Sequence, residues 1–164
     1  MDVSEVEPLV VSLAQALRGR GWRIAAAESC TGGLIAAACT AVAGSSDWFE
    51  RGFVTYSNEA KAEMLGVAPA LIATHGAVSE PVACAMALGA LAHAHAELSV
   101  AVTGIAGPGG AVPGKPVGTV WLAVGRAGGG VEATLLQLGG DRRSVRAQTV
   151  HAALQRLLQA AQAG

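Results

Sequence analysis

Apolar residues along this chain change period several times, and each change marks an element. Leu9, Leu13 and Leu17, flanked by Val10 and Ala14, recur at the spacing of one helix face, and Gly19 and Gly21 supply its stop. Residues 22–27 then form a short, nearly continuous apolar run, the pattern of a buried strand. A turn follows at Glu28-Ser29-Cys30-Thr31-Gly32-Gly33, and the apolar stretch 34–42 reads as a helix closed by Gly44-Ser45-Ser46. Residues 52–56 predict a second strand and 59–65 a short helix. Ser79 and Pro81 carry helix-start signals for a segment reaching about Glu97. A third strand is predicted over 98–102, followed by a long Gly/Pro loop from Thr103 to Gly118. Strands over 119–124 and 131–138 flank Gly128-Gly129-Gly130 and read as a hairpin. Asp141 is placed to cap a last helix, whose Val150, Leu154, Leu157 and Leu158 share a face.

Helices alternate with strands in the first half, and a hairpin ends the series. Right-handed crossovers then place helices on both faces of a mixed, mostly parallel five-stranded sheet with one antiparallel member. The strand ends should form a crevice between the Ser29 turn and the Thr103 loop.

Composition narrows this further. The 164 residues suit a single domain over 1–164, and 52% hydrophobic against 14% charged residues excludes a disordered chain. A net charge of -1 gives no field to attract nucleic acid. The acidic opening MDVSEVEPLV lacks the basic region and apolar core expected of a signal peptide, and the alanine-rich stretch 82–96 is short for a bilayer and holds His93 and His95. Cys30, Cys39 and Cys84 are odd in number and lack C-x-x-C spacing, so reduced thiols and a cytoplasmic location are expected. His93 and His95, two apart on a predicted helix, cannot chelate one ion; no metal and no cofactor are expected. The oligomeric state is open, and a homo-oligomer is compatible with the sequence.

Ser29 follows a buried strand, and Thr31-Gly32-Gly33 opens a helix. A serine there is placed for nucleophilic attack, with the N–H groups of Thr31, Gly32 and Gly33 facing an oxyanion. A capping serine without chemistry accounts for the same residues. The turn is not a G-x-S-x-G elbow and no histidine completes a triad, so another base is needed. Lys61 is one of two lysines against nine arginines, just beyond the second strand. Partly buried, it could act as a general base, which arginine cannot; solvated, it would pair with Glu59 or Glu63. Tyr56, the only tyrosine, could hydrogen-bond to the serine–lysine pair or simply pack. Cys30 is a rival nucleophile.

Gly104, Gly107 and Gly109 loosely mimic a dinucleotide fingerprint, but Pro108 interrupts it and no helix follows. A wall of a substrate site fits the loop better, with Thr103 presenting its hydroxyl and Gly104 beside it. Arg142, Arg143 and Arg146 open the last helix, where cations oppose the dipole; a phosphate beside them would compensate, and so would a solvated basic turn paired with Asp141.

The stretches AESCTGG (27–33), GFVTYSNEAKAEMLGV (52–67), THGAVSE (74–80), TGIAGPGG (103–110), KPVGTV (115–120) and GGDRRSVR (139–146) together resemble the CinA C-terminal family, also called the nicotinamide-nucleotide amidase (PncC) family. The resemblance implies a three-layer α/β/α sandwich and hydrolysis of nicotinamide mononucleotide to nicotinate mononucleotide and ammonia, a step of pyridine nucleotide salvage. It implies Ser29 as nucleophile, Tyr56 and Lys61 as its activating partners, and Thr103 and Arg143 as residues of the site. The partner is then a small-molecule nucleotide. A non-catalytic pyridine-nucleotide-binding module is the alternative. One departure is Ala111-Val112, where relatives often carry glycine, threonine or an acid; it bears on substrate preference at that loop.

Overall fold

The structure, a computed structural model, describes residues 1–163. After a short 3-10 turn, helix α1 (Glu7–Arg20) buries Val10, Leu13, Ala14 and Leu17 and stops at Gly21, whose φ of 65° lets it close the last turn onto Leu17 and Arg18. Strand β1 (Ile24–Glu28) is buried at all five positions, as a central strand covered on both faces must be. There follow α2 (Leu34–Thr40), β2 (Phe49–Val54), α3 (Asn58–Leu65), α4 (Pro69–His75), α5 (Glu80–Ala92), β3 (Leu98–Gly104), β4 (Thr119–Arg126), β5 (Gly130–Gln137) and α6 (Arg142–Gln162).

The sheet order is β2-β1-β3-β4-β5. β1 pairs parallel with β2 and β3, whereas β3 with β4 and β4 with β5 are antiparallel, so β4 alone runs against the other strands. This is the mixed, mostly parallel sheet that the strand pattern predicted. Along β1, Ile24 and Ala26 face a core shared with α1, α2 and α6, including Leu13, Ile35, Leu122 and Leu154. Ala25 and Ala27 face the other, built from α3, α4 and α5 through Leu65, Ile72, Val82 and Met86. Three layers result, and each large buried side chain contributes about 1.5–3 kcal/mol. Alanines at 83, 87, 90, 101 and 123 line the second core and let α5 lie close to the sheet. Gly89 serves a different neighbour, α3: a Cβ there would run into the Leu65 backbone.

Three elements differ from the sequence reading. β2 begins at Phe49 rather than 52, as an edge strand whose polar Glu50 and Arg51 hide its period, and ends before Thr55 and Tyr56. α4 was not expected; only Ile72 of its seven residues is buried, too few to show a period, although Pro69 marks its start. α5 stops at Ala92 instead of about 97, so His93 and His95 lie beyond the helix, and Glu97 Oε1 accepts the Arg23 N–H. Ser79 precedes α5, but its hydroxyl donates to the Gly76 carbonyl rather than capping the helix.

What positions the site is the middle of the sheet. Glu28, at the end of β1, pairs with Val102, two residues before the end of β3, and the Ser29 N–H donates to the Val102 carbonyl at 3.1 Å. The Ser29 turn and the loop after β3 therefore leave the sheet side by side.

Candidate active site

The serine turn is held from several directions. Glu28, 1% exposed, turns its carboxylate onto the start of α2, accepting from the Ile35 N–H at 2.8 Å, the Ala36 N–H at 3.0 Å and the Thr31 hydroxyl. Arg146 of α6 donates from Nε to the Cys30 carbonyl and from Nη2 to the Thr31 carbonyl, both at 3.2 Å. The Gly32 N–H donates to the Ser29 carbonyl at 3.0 Å. Ser29 is thus fixed at the mouth of β1.

Lys61 reaches it from α3. Ser57 caps this helix by accepting the Ala60 N–H, and Lys61 shares the buried face with Leu65 at i,i+4. Glu59 and Glu63 line a surface recess against α4 instead. The lysine is 1% exposed. Its Nζ stands 3.0 Å from Ser29 Oγ, 3.0 Å from the Thr55 carbonyl oxygen and 3.3 Å from that of Tyr56. Burial pushes its pKa below the ordinary 10.5, against a smaller opposing pull from Cys30, and among the described residues it pairs with no carboxylate.

These groups border a cleft of about 260 Å³ lined by Ser29, Cys30, Tyr56, Asn58, Lys61 and Arg142, with Ala77, Val78, Thr103 and the glycine-rich residues after it as the opposite wall. Thr103 donates its hydroxyl to the Ala77 carbonyl at 2.9 Å, and Gly104 packs on Val120, leaving no room for a side chain. Cys30 lines the cleft too, but burial pushes its thiol up to about 11. Ala111 and Val112 do not line it; Val112 bridges Lys115 in a small exposed turn, and Lys115 Nζ donates to the His75 carbonyl.

Two expectations need correction in their geometry. Thr31, Gly32 and Gly33 do not border the cleft, and of their three N–H groups that of Gly32 is taken by the Ser29 carbonyl; the amides bound by Glu28 are those of Ile35 and Ala36. The Tyr56 hydroxyl is engaged with Arg142 Nη2 at 3.0 Å, not with Ser29 or Lys61. Arg142 Nη1 also donates to the Gly107 carbonyl at 2.9 Å. Arg142, Arg143 and Arg146 meet at a second cleft of about 720 Å³, which shares Ala106 and Arg142 with the first. Arg146 is tied to the serine turn, whereas Arg143 is exposed and makes no side-chain hydrogen bond among the described residues. Asn58 and Glu28 were not singled out from sequence. An acid closing an apolar strand, seven residues before the helix amide it caps, is the signal that could have found Glu28. Among the described residues no cluster of His, Cys, Asp and Glu is arranged to hold a metal ion, and no helix is long and apolar enough to cross a membrane.

Fold and cleft together define an α/β protein with a lysine-paired serine at the carboxyl ends of its central strands. The chain belongs to the CinA C-terminal domain family, whose pattern it matches over residues 6–161. It is 53% identical to the nicotinamide-nucleotide amidohydrolase PncC of Escherichia coli (strain K12), over 97% of this chain and 96% of that one. The protein of the same name from Pseudomonas putida is 52% identical, over 94% and 96%. Among solved structures, the competence/damage inducible protein CihA from Agrobacterium tumefaciens superposes with a TM-score of 0.92 at 46% identity, over 94% of each chain.

Proposed function

We propose that this chain, working as one domain, is an amidohydrolase that releases ammonia from the carboxamide of nicotinamide mononucleotide and leaves nicotinate mononucleotide. The observation that carries the reading is the 3.0 Å approach of Lys61 Nζ to Ser29 Oγ beside the carbonyls of Thr55 and Tyr56. In the neutral amine the two N–H bonds go to these carbonyl oxygens, which can only accept, and the lone pair faces the serine hydroxyl. The names of relatives alike over almost their whole length support the substrate.

Lys61 takes the Ser29 proton as Oγ bonds to the carboxamide carbon, general-base help worth roughly 10²–10⁴-fold. The oxyanion is met by main-chain N–H groups at the cleft; those of Cys30, Ala106 and Gly107 make no hydrogen bond among the described residues. Such a donor contributes about 3 kcal/mol. The C–N bond breaks as Lys61 passes the proton to nitrogen, and ammonia leaves. Water then attacks the ester with Lys61 as base, the C–Oγ bond breaks, Oγ recovers a proton, and nicotinate mononucleotide departs as the carboxylate, its acid proton going to solvent. Arg142 and Arg143 hold the 5′-phosphate, while Arg146 holds the serine turn. The scheme uses no metal or cofactor, and it belongs in the cytoplasm, where Cys30, Cys39 and Cys84 stay reduced.

An ammonia-release assay on the purified protein tests this. Equal yields of ammonia and nicotinate mononucleotide are expected. Binding of the nucleotide without release would leave a non-catalytic pyridine-nucleotide-binding module.

A further inference from the structure

Tyr56 touches the serine–lysine pair through its backbone alone. Its carbonyl oxygen lies 3.3 Å from Lys61 Nζ, while its hydroxyl accepts from Arg142 Nη2 at 3.0 Å. The other arm of that guanidinium donates to the Gly107 carbonyl at 2.9 Å. Arg142 is thereby slung between the end of β2 and the loop after β3, at the border of the reacting cleft and its arginine-lined neighbour. Both acceptors are neutral and, among the described residues, no carboxylate pairs with Arg142, so its charge is available to an anion.

We infer that Tyr56 is a positioning residue, whose phenol holds Arg142 where it recognises the phosphate of a nucleotide with its carboxamide at Ser29, and which takes no part in moving the Ser29 proton. The inference rests on the amidohydrolase reading, and departs from the serine-activating role that family resemblance gives Tyr56. A nucleoside without phosphate gains nothing from Arg142, so the pair selects nucleotide over nucleoside.

Tyr56→Phe removes only the hydroxyl of a side chain that is 59% exposed, so folding is not at issue. KM for nicotinamide mononucleotide should rise about tenfold, with kcat within about twofold, from loss of one charge-assisted hydrogen bond. The pH profile of kcat and the kcat/KM for nicotinamide riboside should not change. Tyr56→Phe added to Arg142→Ala should cause no further loss, because the two act as one unit. A fall in kcat of about 100-fold at saturating nucleotide, the size of a lost proton-transfer group, overturns the inference, as does an equal loss with the riboside. A second readout needs no turnover: in the Ser29→Ala protein, calorimetry should find nicotinamide mononucleotide bound about tenfold more weakly with Tyr56→Phe, and unchanged affinity also overturns it. If the unaltered protein binds the nucleotide but releases no ammonia, the amidohydrolase reading fails while calorimetry still decides the role of Tyr56.

Discussion

Lys61 and Ser29, 32 residues apart in sequence, bring Nζ and Oγ to 3.0 Å across the gap between α3 and the end of β1. The amine has no ionic partner among the described residues, and burial holds its pKa below 10.5. In the proposed mechanism it must lose a proton, which an arginine does not do. Lys61→Arg should therefore lower kcat for ammonia release by about 10³-fold or more despite keeping the positive charge, as steady-state assays will show.

The same shift fixes a pH dependence of stability. A lysine with a lowered native pKa binds fewer protons folded than unfolded in the window between that value and the ordinary 10.5. Stability contributed by Lys61 should rise with pH through that window, and below it the buried charge is a standing penalty. Urea titrations of Lys61→Met should lose this rise and, near neutral pH, show a protein at least as stable as the original.

Cys30 adjoins the serine and borders the same cleft, yet its thiol, pushed up to about 11 by burial, is protonated near neutrality. Cys30→Ala should keep activity within about fivefold, because a neutral thiol is a poor nucleophile. Iodoacetamide at neutral pH should leave ammonia release unaffected; rapid inactivation would show a reactive thiolate.

Glu28 gives α2 its N-terminal acceptor from within the core. Glu28→Ala leaves two amides and the Thr31 hydroxyl without a partner and should lower stability by about 3–5 kcal/mol, read as a shift in urea midpoint. Glu28→Gln keeps one acceptor oxygen and should lose less.

Much of this architecture was legible beforehand, and the exceptions have physical causes. The triple glycine at 128–130 announced the hairpin, and with it the single strand running against the others. The apolar run of β1 marked a central strand. α4 escaped notice because a helix of two turns with one buried side chain has no period to read. The alanine-rich segment after Pro81 offers no stop signal; it ends at Ala92, where Arg51 Nη1 donates to the His93 carbonyl from 42 residues away, a contact no local pattern carries. Ser29 and Lys61 stood out by residue type and by neighbours. The tie between Tyr56 and Arg142 spans 86 positions, and no local pattern carries it. The capping role of Glu28 was less deeply hidden: its place at the close of an apolar strand was a signal, but a carboxylate beside a turn ordinarily reads as solvated.

Gly89 connects packing to the site. A Cβ there would meet the Leu65 carbonyl, in the helix that carries Lys61. Gly89→Ala should push α3 off α5, lower stability by about 3 kcal/mol and reduce kcat as Lys61 withdraws from Ser29. Thermal melts and ammonia assays on one preparation will show whether the two losses come together.

The claim on which the account depends is that the Ser29 oxygen forms an ester with the substrate. Mass spectrometry of protein quenched during turnover of nicotinamide mononucleotide reads this directly. The acyl group of nicotinate mononucleotide, its ribose phosphate still attached, on the peptide containing Ser29 and absent from Ser29→Ala is the result expected. The same acyl group held as a thioester on Cys30, or full ammonia release by Ser29→Ala, would contradict it.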